Sequence, residues 1–359
     1  MKKEERGHAD SERVQSGLAS DLLNWYDETK RSLPWRASHD PYHIWVSEIM
    51  LQQTRVDQGI GFYLKFIERF PDVKRLAAAS EQEVLALWQG LGYYSRALNL
   101  HQSAKIIAES HNGCFPEKAA DWIKLPGVGV YTASAIASIA FGDPQAAVDG
   151  NVLRVIARLT CESAPISDAK VRRSITERAQ SLLSTTRPGD FNQAMMELGA
   201  LVCTPKRPKC EVCPISHDCR SKVLDQVHLY PVIQPKVPPR EEMMWYILYY
   251  NKDGLYVQQR GSSSIWRKMW AFKSVSEAAY KALLQAEMPV AHATPSPELE
   301  RRMEHRLTHR LLRIYLLPFR CGVGFTDDSL TFVTYKELKN YPFPVVFTKY
   351  LKEIGLWEG

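Results

Sequence analysis

The chain has 359 residues, of which 45% are hydrophobic and 24% charged, and its formal net charge is +6. This length predicts two domains, and the apolar content is sufficient for two ordinary hydrophobic cores. No run approaches the roughly 18 apolar residues that span a bilayer, and residues 1–17 form a polar tail without the apolar core of a signal peptide. We therefore expect a globular, monomeric protein of the cytoplasm, whose modest positive charge permits a polyanionic partner without requiring one.

Most of the N-terminal half has a helical pattern. Apolar residues recur at intervals of three and four from Leu18 to about Leu224, interrupted by Gly and Pro turns. This periodicity predicts an all-helical domain over residues 18–224.

One predicted helix carries a glutamate among apolar neighbours. Asp40 and Pro41 supply an N-cap and a first helical residue. Glu48 follows in this helix, with Ile44 and Leu51 on its own face. A carboxyl group desolvated by such neighbours has a raised pKa and can hold a proton at neutral pH, as a general acid must. The alternative is a glutamate on the solvent-facing side of the helix.

A glycine-rich turn lies between two further predicted helices. It spans Leu125–Tyr131, with the sequence Leu-Pro-Gly-Val-Gly-Val-Tyr, and predicts a helix-hairpin-helix motif. Gly127 and Gly129 would allow backbone N–H groups to approach a DNA phosphate at the N-terminus of the second helix. A plain turn between helices is the alternative. Carbonyl groups that could also hold a cation are those near Ile123, Leu125 and Val128.

A second carboxylate precedes a predicted helix. Asp149 stands before the helix expected over Val152–Leu159. As an N-cap it would contribute about 1 kcal/mol. A carboxylate at this position could also face the positive charge that develops when a glycosidic bond breaks. The two roles can coexist.

Four cysteines lie close together after the last predicted helices, with the spacing Cys203-x6-Cys210-x2-Cys213-x5-Cys219. Four soft thiolates on short tethers suit a tetrahedral zinc ion or an iron–sulfur cluster, and the uneven spacing favours the cluster. Disulfides are the less favoured alternative, because no signal peptide is predicted. The loop also carries cations that could meet phosphates, namely Lys206, Arg207, Lys209 and Arg220. The three remaining cysteines, expected to be buried thiols, are Cys114, Cys161 and Cys321.

A proline-rich segment divides the chain. Four prolines fall within Tyr230–Arg240, which predicts a stiff, extended linker over residues 225–240. Residues 241–359 combine strand-like and helical patterns, which predicts an α+β domain. The predicted strands are Met243–Tyr250, Gly254–Gln259, Leu312–Phe319 and Leu330–Tyr335, and the predicted helices are Glu277–Glu287 and Val345–Ile354.

Several segments together resemble MutY-type adenine DNA glycosylases of the helix-hairpin-helix, iron–sulfur superfamily. The resemblance is close from about residue 20 to 225 and loose beyond. It rests on Trp35-Arg36, Ser47–Thr54, Gly90–Arg96, Leu125–Thr132, Val148–Val152 and the cysteine loop. It implies an all-α glycosylase domain whose four cysteines hold a [4Fe-4S] cluster, followed by an α+β Nudix-like domain. The implied reaction, a step of base excision repair, is removal of adenine mispaired with 8-oxoguanine or guanine in double-stranded DNA.

The resemblance also implies roles for single residues. Glu48 would protonate N7 of adenine, and Asp149, assisted by Tyr131, would stabilise the oxocarbenium ion. Residues implied to line the adenine pocket are Trp35, Arg36 and Val56, and those implied to enter the base stack are Gln53 and Tyr93. Related glycosylase/lyases such as endonuclease III have a lysine in place of Tyr131, whose amine forms a Schiff base and cleaves the strand. A phenol cannot do this, so the reaction should stop at an abasic site.

The C-terminal domain is predicted to recognise a base. The Nudix metal-binding box, Arg-Glu-x-x-Glu-Glu, is missing from residues 276–287. Thr308 and His309 match the Ser/Thr-His pair with which the family reads 8-oxoguanine, although Leu307 replaces the usual aromatic residue and Met269–Lys273 departs from the family's Leu-Trp-Glu-Phe-Pro. The alternative for the segment Arg301–Arg310, which contains Thr308 and His309, is a basic, solvated lead-in to the strand expected over Leu312–Phe319.

Two other functions are compatible with the sequence. One is a related mismatch glycosylase that removes thymine or uracil, and the other is a non-catalytic, cluster-bearing protein that binds damaged DNA. The presence of both Glu48 and Asp149 favours an enzyme.

Overall fold

The computed structural model describes residues 17–235, 237–261, 265–285 and 292–357. The described residues divide into two compact units, the first within residues 17–78 and 99–235 and the second within residues 79–98 and 237–357. No helix in the described ranges is long and apolar enough to cross a membrane.

The first unit is helical, and its described residues contain no β-strand. The helices of the N-terminal region, in chain order, are α1 (17–29), α2 (Pro41–Leu51), α3 (Val56–Arg69), α4 (Val73–Ala78), α5 (Glu81–Leu87), α6 (Ser95–Ser110), α7 (Ala119–Trp122), α8 (Val130–Phe141), α9 (Gly150–Thr160), α10 (Ala169–Leu182), α11 (Pro188–Leu201) and α12 (Arg220–Val223). Of these, α5 and the first turn of α6 belong to the second unit.

The core of the first unit is centred on α9. Its buried residues Val152, Val155, Ile156 and Leu159 follow the spacing of one helix face and pack with residues of α10 and α11. Helix α8 packs against both α2 and α11. Because these helices are neighbours, side chains from α2, α8, α11 and the start of α9 can meet at one place.

The second unit is built on a mixed sheet of eight strands in its described part. The strands are β1 (Arg240–Tyr250), β2 (Gly254–Gln259), β3 (Trp270–Ala271), β4 (Lys273–Val275), β5 (Ala293–Pro295), β6 (Arg301–Arg306), β7 (Arg310–Cys321) and β8 (Thr331–Thr334), with helices α13 (Glu277–Leu284) and α14 (Val345–Glu353). Strands β1 and β7 run parallel at the centre, in the order β3-β2-β1-β7-β5, while β4 pairs with β1, β6 with β7 and β8 with β2. Phe347 and Tyr350 of α14 pack on Phe272, so that α14 covers part of the sheet.

Residues 79–98 fall inside the predicted helical domain, residues 18–224, but their contacts group them with the second unit, and the predicted domain bounds stay a prediction. They pack within the second unit, because side chains of α5 bind the backbone and side chains near β3. Trp270 Nε1 donates a hydrogen bond to Gln82 Oε1 at 2.9 Å, and Gln82 Nε2 donates to the carbonyl oxygen of Lys268 at 3.2 Å. An ion pair joins Lys268 to Glu81.

The predicted strands and helices of the C-terminal region are confirmed, with small shifts of their ends. Helix α13 ends at Leu284, and the predicted residues 286 and 287 lie outside the described residues. Residues Arg301–Arg306 of the basic segment before β7 form a strand of their own, β6, which pairs antiparallel with β7. The strands that the sequence did not indicate are short or rich in charged residues.

One smaller prediction is corrected in part, and the linker prediction is not tested. Cys321 is buried as expected, whereas Cys114 is exposed and Cys161 is partly exposed. Within the predicted linker, the carbonyl oxygen of Val232 accepts a backbone hydrogen bond from Ile166 at 3.1 Å, and the linker's extended, stiff character stays a prediction.

Candidate active site

A cavity of about 510 Å³ lies in the first unit, and we call it the active-site cavity. It is bordered by α2, α8, α11 and the start of α9. The first-unit residues assigned to catalysis, to the adenine pocket or to the base stack all line it, namely Trp35, Arg36, Glu48, Gln53, Val56, Tyr131 and Asp149. The structure therefore brings together residues that are separated by more than a hundred positions in the chain.

Glu48 is held on α2 in an apolar, partly buried environment. The helix begins as predicted, with the Asp40 side chain accepting a hydrogen bond from the backbone N–H of Tyr42 at 2.8 Å. Ile44 and Leu51 line the same cavity as Glu48. Burial raises the pKa of Glu48 to about 7, although a hydrogen bond from the Tyr131 hydroxyl to Oε2, 2.9 Å long, acts in the opposite direction. The carboxyl group can therefore carry a proton near neutral pH.

Asp149 caps α9, as predicted. Its Oδ1 accepts hydrogen bonds from the backbone N–H groups of Asn151 and Val152, both at 2.8 Å, and its Oδ2 accepts one from the Asn151 side chain at 2.7 Å. Burial raises the pKa of the Asp149 carboxyl, while these hydrogen bonds lower it. Because the cap holds both oxygens, the carboxylate has a defined position at the cavity wall.

Tyr131 contacts the predicted proton donor Glu48 in this cavity. Its hydroxyl donates to Glu48 Oε2 and lies 3.1 Å from the sulfur of Met196. Assistance of Asp149 by Tyr131 stays a prediction.

An ion-pair network in the same cavity was not predicted. Glu197 of α11, only 1% exposed, accepts hydrogen bonds from Arg31 Nε at 2.7 Å and from Arg36 Nη2 at 3.0 Å. Burial opposes ionisation of Glu197, but the hydrogen bonds from both arginines outweigh it and lower its pKa to about 2. Arg36 Nε also donates to Gln193 Oε1 at 3.0 Å. Arg36, assigned to the adenine pocket, is thus fixed by its neighbours. The sequence signal for this network was Glu197, a glutamate within an apolar helix.

The glycines of the predicted hairpin play different parts. Gly127 has a φ of +77°, and a Cβ built on it would lie 2.7 Å from Cβ of Asn99, so both conformation and space require glycine. Gly129 is the N-cap of α8, and a Cβ there would meet no atom within 4 Å. The N-terminus of α8 follows directly, with Val130 exposed. Phosphate binding by this hairpin, and a cation on its carbonyl groups, stay predictions.

The four clustered cysteines line one small cavity in the first unit, together with Arg158. All four are free thiols. Arg158, 2% exposed, donates a hydrogen bond from Nη1 to the sulfur of Cys203 at 3.2 Å, which would offset the charge of a thiolate. No group of three or more His, Cys, Asp or Glu in the described part of the chain is placed to hold a single metal ion. Soft donors around a cavity fit an iron–sulfur cluster.

The remaining predicted site residues lie in the second unit. Thr308 and His309 are exposed at the tip of the β6–β7 hairpin, which the backbone hydrogen bond from Leu307 N–H to Arg310 C=O closes at 2.8 Å. The Tyr93 hydroxyl lies 3.1 Å from Thr308 Oγ1. The predicted stack residue and the predicted lesion reader are therefore in direct contact.

The helical fold, its cavity and the cysteine loop define a class of DNA repair protein. The family model of HhH-GPD superfamily base excision DNA repair proteins matches residues 46–181, that of the iron–sulfur binding domain of endonuclease III matches residues 203–219, and that of the NUDIX domain matches residues 244–353. The last match confirms the predicted Nudix-like fold.

Similar proteins narrow this class to one family. An adenine DNA glycosylase of Buchnera aphidicola subsp. Acyrthosiphon pisum is 35% identical over 252 residues, which are 70% of this chain and 72% of that protein. A human adenine DNA glycosylase is 36% identical over 361 residues, 82% of this chain and 66% of that protein. The chain belongs to the adenine DNA glycosylases, which act in base excision repair.

Solved structures agree on the helical fold. A thermostable thymine-DNA glycosylase matches with a TM-score of 0.53 and 28% identity, covering 60% of this chain and 99% of that one. A trapped endonuclease III–DNA covalent intermediate matches with a TM-score of 0.50 and 22% identity, covering 60% and 97%, and this likeness concerns the fold alone.

Proposed function

We propose that this glycosylase hydrolyses the N-glycosidic bond of adenine mispaired with 8-oxoguanine in duplex DNA, with Glu48 as the proton donor. One observation carries the proposal: a carboxyl group with a pKa of about 7 and a second carboxylate fixed at a helix N-terminus line the same cavity. Two carboxyl groups in different environments can take different roles in one reaction.

The proposed reaction begins when adenine leaves the base stack and enters the active-site cavity. Glu48 donates its proton to N7 of the base, so that the departing adenine leaves as a neutral molecule. As the bond to C1′ breaks, its electron pair goes to the base and positive charge develops on the sugar, facing Asp149. Water adds to C1′ and loses a proton, which restores the Glu48 carboxyl group. The products are free adenine and an abasic site.

Substrate duplexes that differ in one base pair test this function. The chain should convert adenine opposite 8-oxoguanine, and adenine opposite guanine more slowly, to abasic sites. The strand should remain intact until hot alkali is added, because Tyr131 has no amine for a Schiff base. Release of thymine or uracil opposite guanine, without release of adenine, would favour the related mismatch glycosylase. Binding without release of any base would favour the non-catalytic reader of DNA damage.

The pH dependence of excision tests the role of the Tyr131 hydrogen bond. The proton donor is active when protonated, so the single-turnover rate should fall as the pH rises through about 7. Tyr131→Phe removes a hydrogen bond that lowers the pKa of Glu48, so this falling limb should move to higher pH by about one unit. A limb that stays in place or moves to lower pH would show that Tyr131 does not tune Glu48.

The cysteine cavity is proposed to hold a [4Fe-4S] cluster through Cys203, Cys210, Cys213 and Cys219. When bound, the cluster would cross-link the loop between α11 and α12, which carries the cations predicted to meet DNA phosphates.

Iron content provides the test of this cofactor. Purified protein should be brown and contain about four irons per chain, and Cys213→Ser should lose iron and weaken duplex binding. Cys114→Ser is the matched control, because that thiol is exposed and lies outside the loop. A colourless protein with one zinc ion would refute the cluster.

The β6–β7 hairpin is proposed to read the base opposite adenine. Thr308 and His309 offer hydrogen-bond donors and acceptors at an exposed tip, and the Tyr93 hydroxyl already contacts Thr308. A lost polar contact typically costs about 1–3 kcal/mol of base discrimination.

Replacing Thr308 and His309 together by alanine should therefore lower the preference for 8-oxoguanine over guanine by roughly tenfold or more, while adenine excision survives. Thr331→Ala, at an exposed threonine of β8 in the same unit, is the control. Unchanged discrimination in the double variant would place lesion reading elsewhere in the protein.

A further inference from the structure

Arg96 lies between two aromatic rings in the segment that carries Tyr93. Its guanidinium carbon is 5.5 Å from the centre of the Trp88 ring and 5.4 Å from that of Tyr93. Trp88 is fully buried and Arg96 is 8% exposed, whereas Tyr93 is 46% exposed. Burial lowers the pKa of Arg96 to about 10, so the guanidinium remains charged at neutral pH. The exposed ring of Tyr93 thus packs against the Arg96 guanidinium, which in turn packs against the buried ring of Trp88.

The same two residues also hold the backbone immediately before Tyr93. The carbonyl oxygen of Gly92 accepts a hydrogen bond from Trp88 Nε1 at 3.1 Å and one from Arg96 Nη2 at 3.0 Å. Gly90 has a φ of +98°, Gly92 of +80° and Tyr93 of +51°. A tyrosine seldom adopts this left-handed conformation, so the surrounding contacts must maintain it.

Tyr93 has contacts on one part of its ring and at its hydroxyl, while the remainder of the side chain is exposed. Arg96 lies against the ring, Thr308 Oγ1 lies 3.1 Å from the hydroxyl, and nearly half of the side chain is exposed. A ring that is already oriented loses less conformational freedom when it enters a base stack than a mobile ring would. Arg96 is too buried to act as a DNA contact itself.

We infer that Arg96 is a positioning residue that holds Tyr93 in the orientation required for insertion beside the flipped adenine. The inference rests on the proposed function, in which Tyr93 enters the base stack. Arg96 acts through the ring and through the Gly92 carbonyl group, and it does not contact the reacting atoms.

A double-mutant cycle separates this role from general support of the fold. Duplexes would carry 2-aminopurine at the adenine position opposite 8-oxoguanine, and the fluorescence increase on base flipping would be titrated against protein. Arg96→Met keeps an unbranched apolar side chain but removes the cation and the donor to Gly92. It should weaken the flipped complex about tenfold in the wild-type background and less than twofold in a Tyr93→Ala background. Arg96→Lys, which retains the charge, should recover part of the loss.

Equal losses from Arg96→Met with and without the Tyr93 ring would overturn the inference, as would wild-type base flipping by Arg96→Met. Thermal unfolding of each variant checks that it is folded, and if Arg96→Met fails to fold, the same cycle is run with Arg96→Lys.

Adenine excision by the wild-type chain is measured in parallel. Its absence would count against the proposed function, whereas normal excision with no Arg96–Tyr93 coupling would count against this inference alone.

Discussion

Glu48→Gln is expected to lower the single-turnover rate of adenine excision by roughly 100- to 10,000-fold, the usual contribution of a general acid. Glutamine has nearly the same volume and still offers an oxygen to the Tyr131 hydroxyl, which lies 2.9 Å from Glu48 Oε2. Its amide cannot supply an acidic proton to the departing base. Binding to duplex DNA should therefore stay close to that of the wild type.

Stability measurements show whether the lower excision rate of Glu48→Gln comes from loss of the proton donor or from loss of the folded structure. Because the pKa of Glu48 in the folded chain is raised to about 7, ionisation of this group destabilises the fold as the pH rises from about 4.5 through 7. The Glu48→Gln variant should thus be at least as stable as the wild type at pH 8. Glu177→Gln, at an exposed glutamate of α10, is a control for the change of charge. A rate loss smaller than about tenfold for Glu48→Gln would remove Glu48 from the role of proton donor.

Asp149→Asn should lower the excision rate by about 100-fold or more with little change in stability. The rate loss is expected because a neutral amide cannot balance the charge that develops on the sugar. The stability should be kept because asparagine is as good an N-cap as aspartate, and its side-chain oxygen can accept from Asn151 and Val152.

Asp168 provides a matched control for the capping role. It caps α10 in the same way, accepting hydrogen bonds from the backbone N–H groups of Lys170 and Val171, and it does not line the active-site cavity. Asp168→Asn should therefore change the melting temperature as little as Asp149→Asn and leave excision intact. Retention of excision within tenfold by the Asp149→Asn variant would mean that Asp149 is a cap alone.

The local features of the site could be predicted because each depends on a short segment of the sequence. Asp40 and Pro41 indicate the start of α2, Asp149 indicates the start of α9, and the apolar neighbours of Glu48 indicate burial. The four cysteines indicate their own cavity by spacing alone. Each prediction depends on residues within a few turns of one another.

The features that escaped prediction depend on distant parts of the chain. Arg31 and Glu197 are 166 positions apart, so the apolar helix around Glu197 indicates burial of that carboxylate but does not indicate its partner. The contacts that group residues 79–98 with the second unit join distant positions, such as Gln82 and Trp270, which are 188 positions apart, and the local sequence does not indicate them. Strand β6 was missed because its charged residues weaken the strand pattern, although pairing with β7 stabilises it.

Proton donation by Glu48 to N7 of adenine is the step on which the proposed reaction depends. Single-turnover excision from a duplex with 7-deazaadenine opposite 8-oxoguanine tests it most directly, because this base has a C–H group in place of N7 and cannot accept the proton there. We expect the wild-type chain to bind this duplex and to release no base in the time in which adenine is removed. Release of 7-deazaadenine at a rate near that of adenine would contradict proton donation to N7.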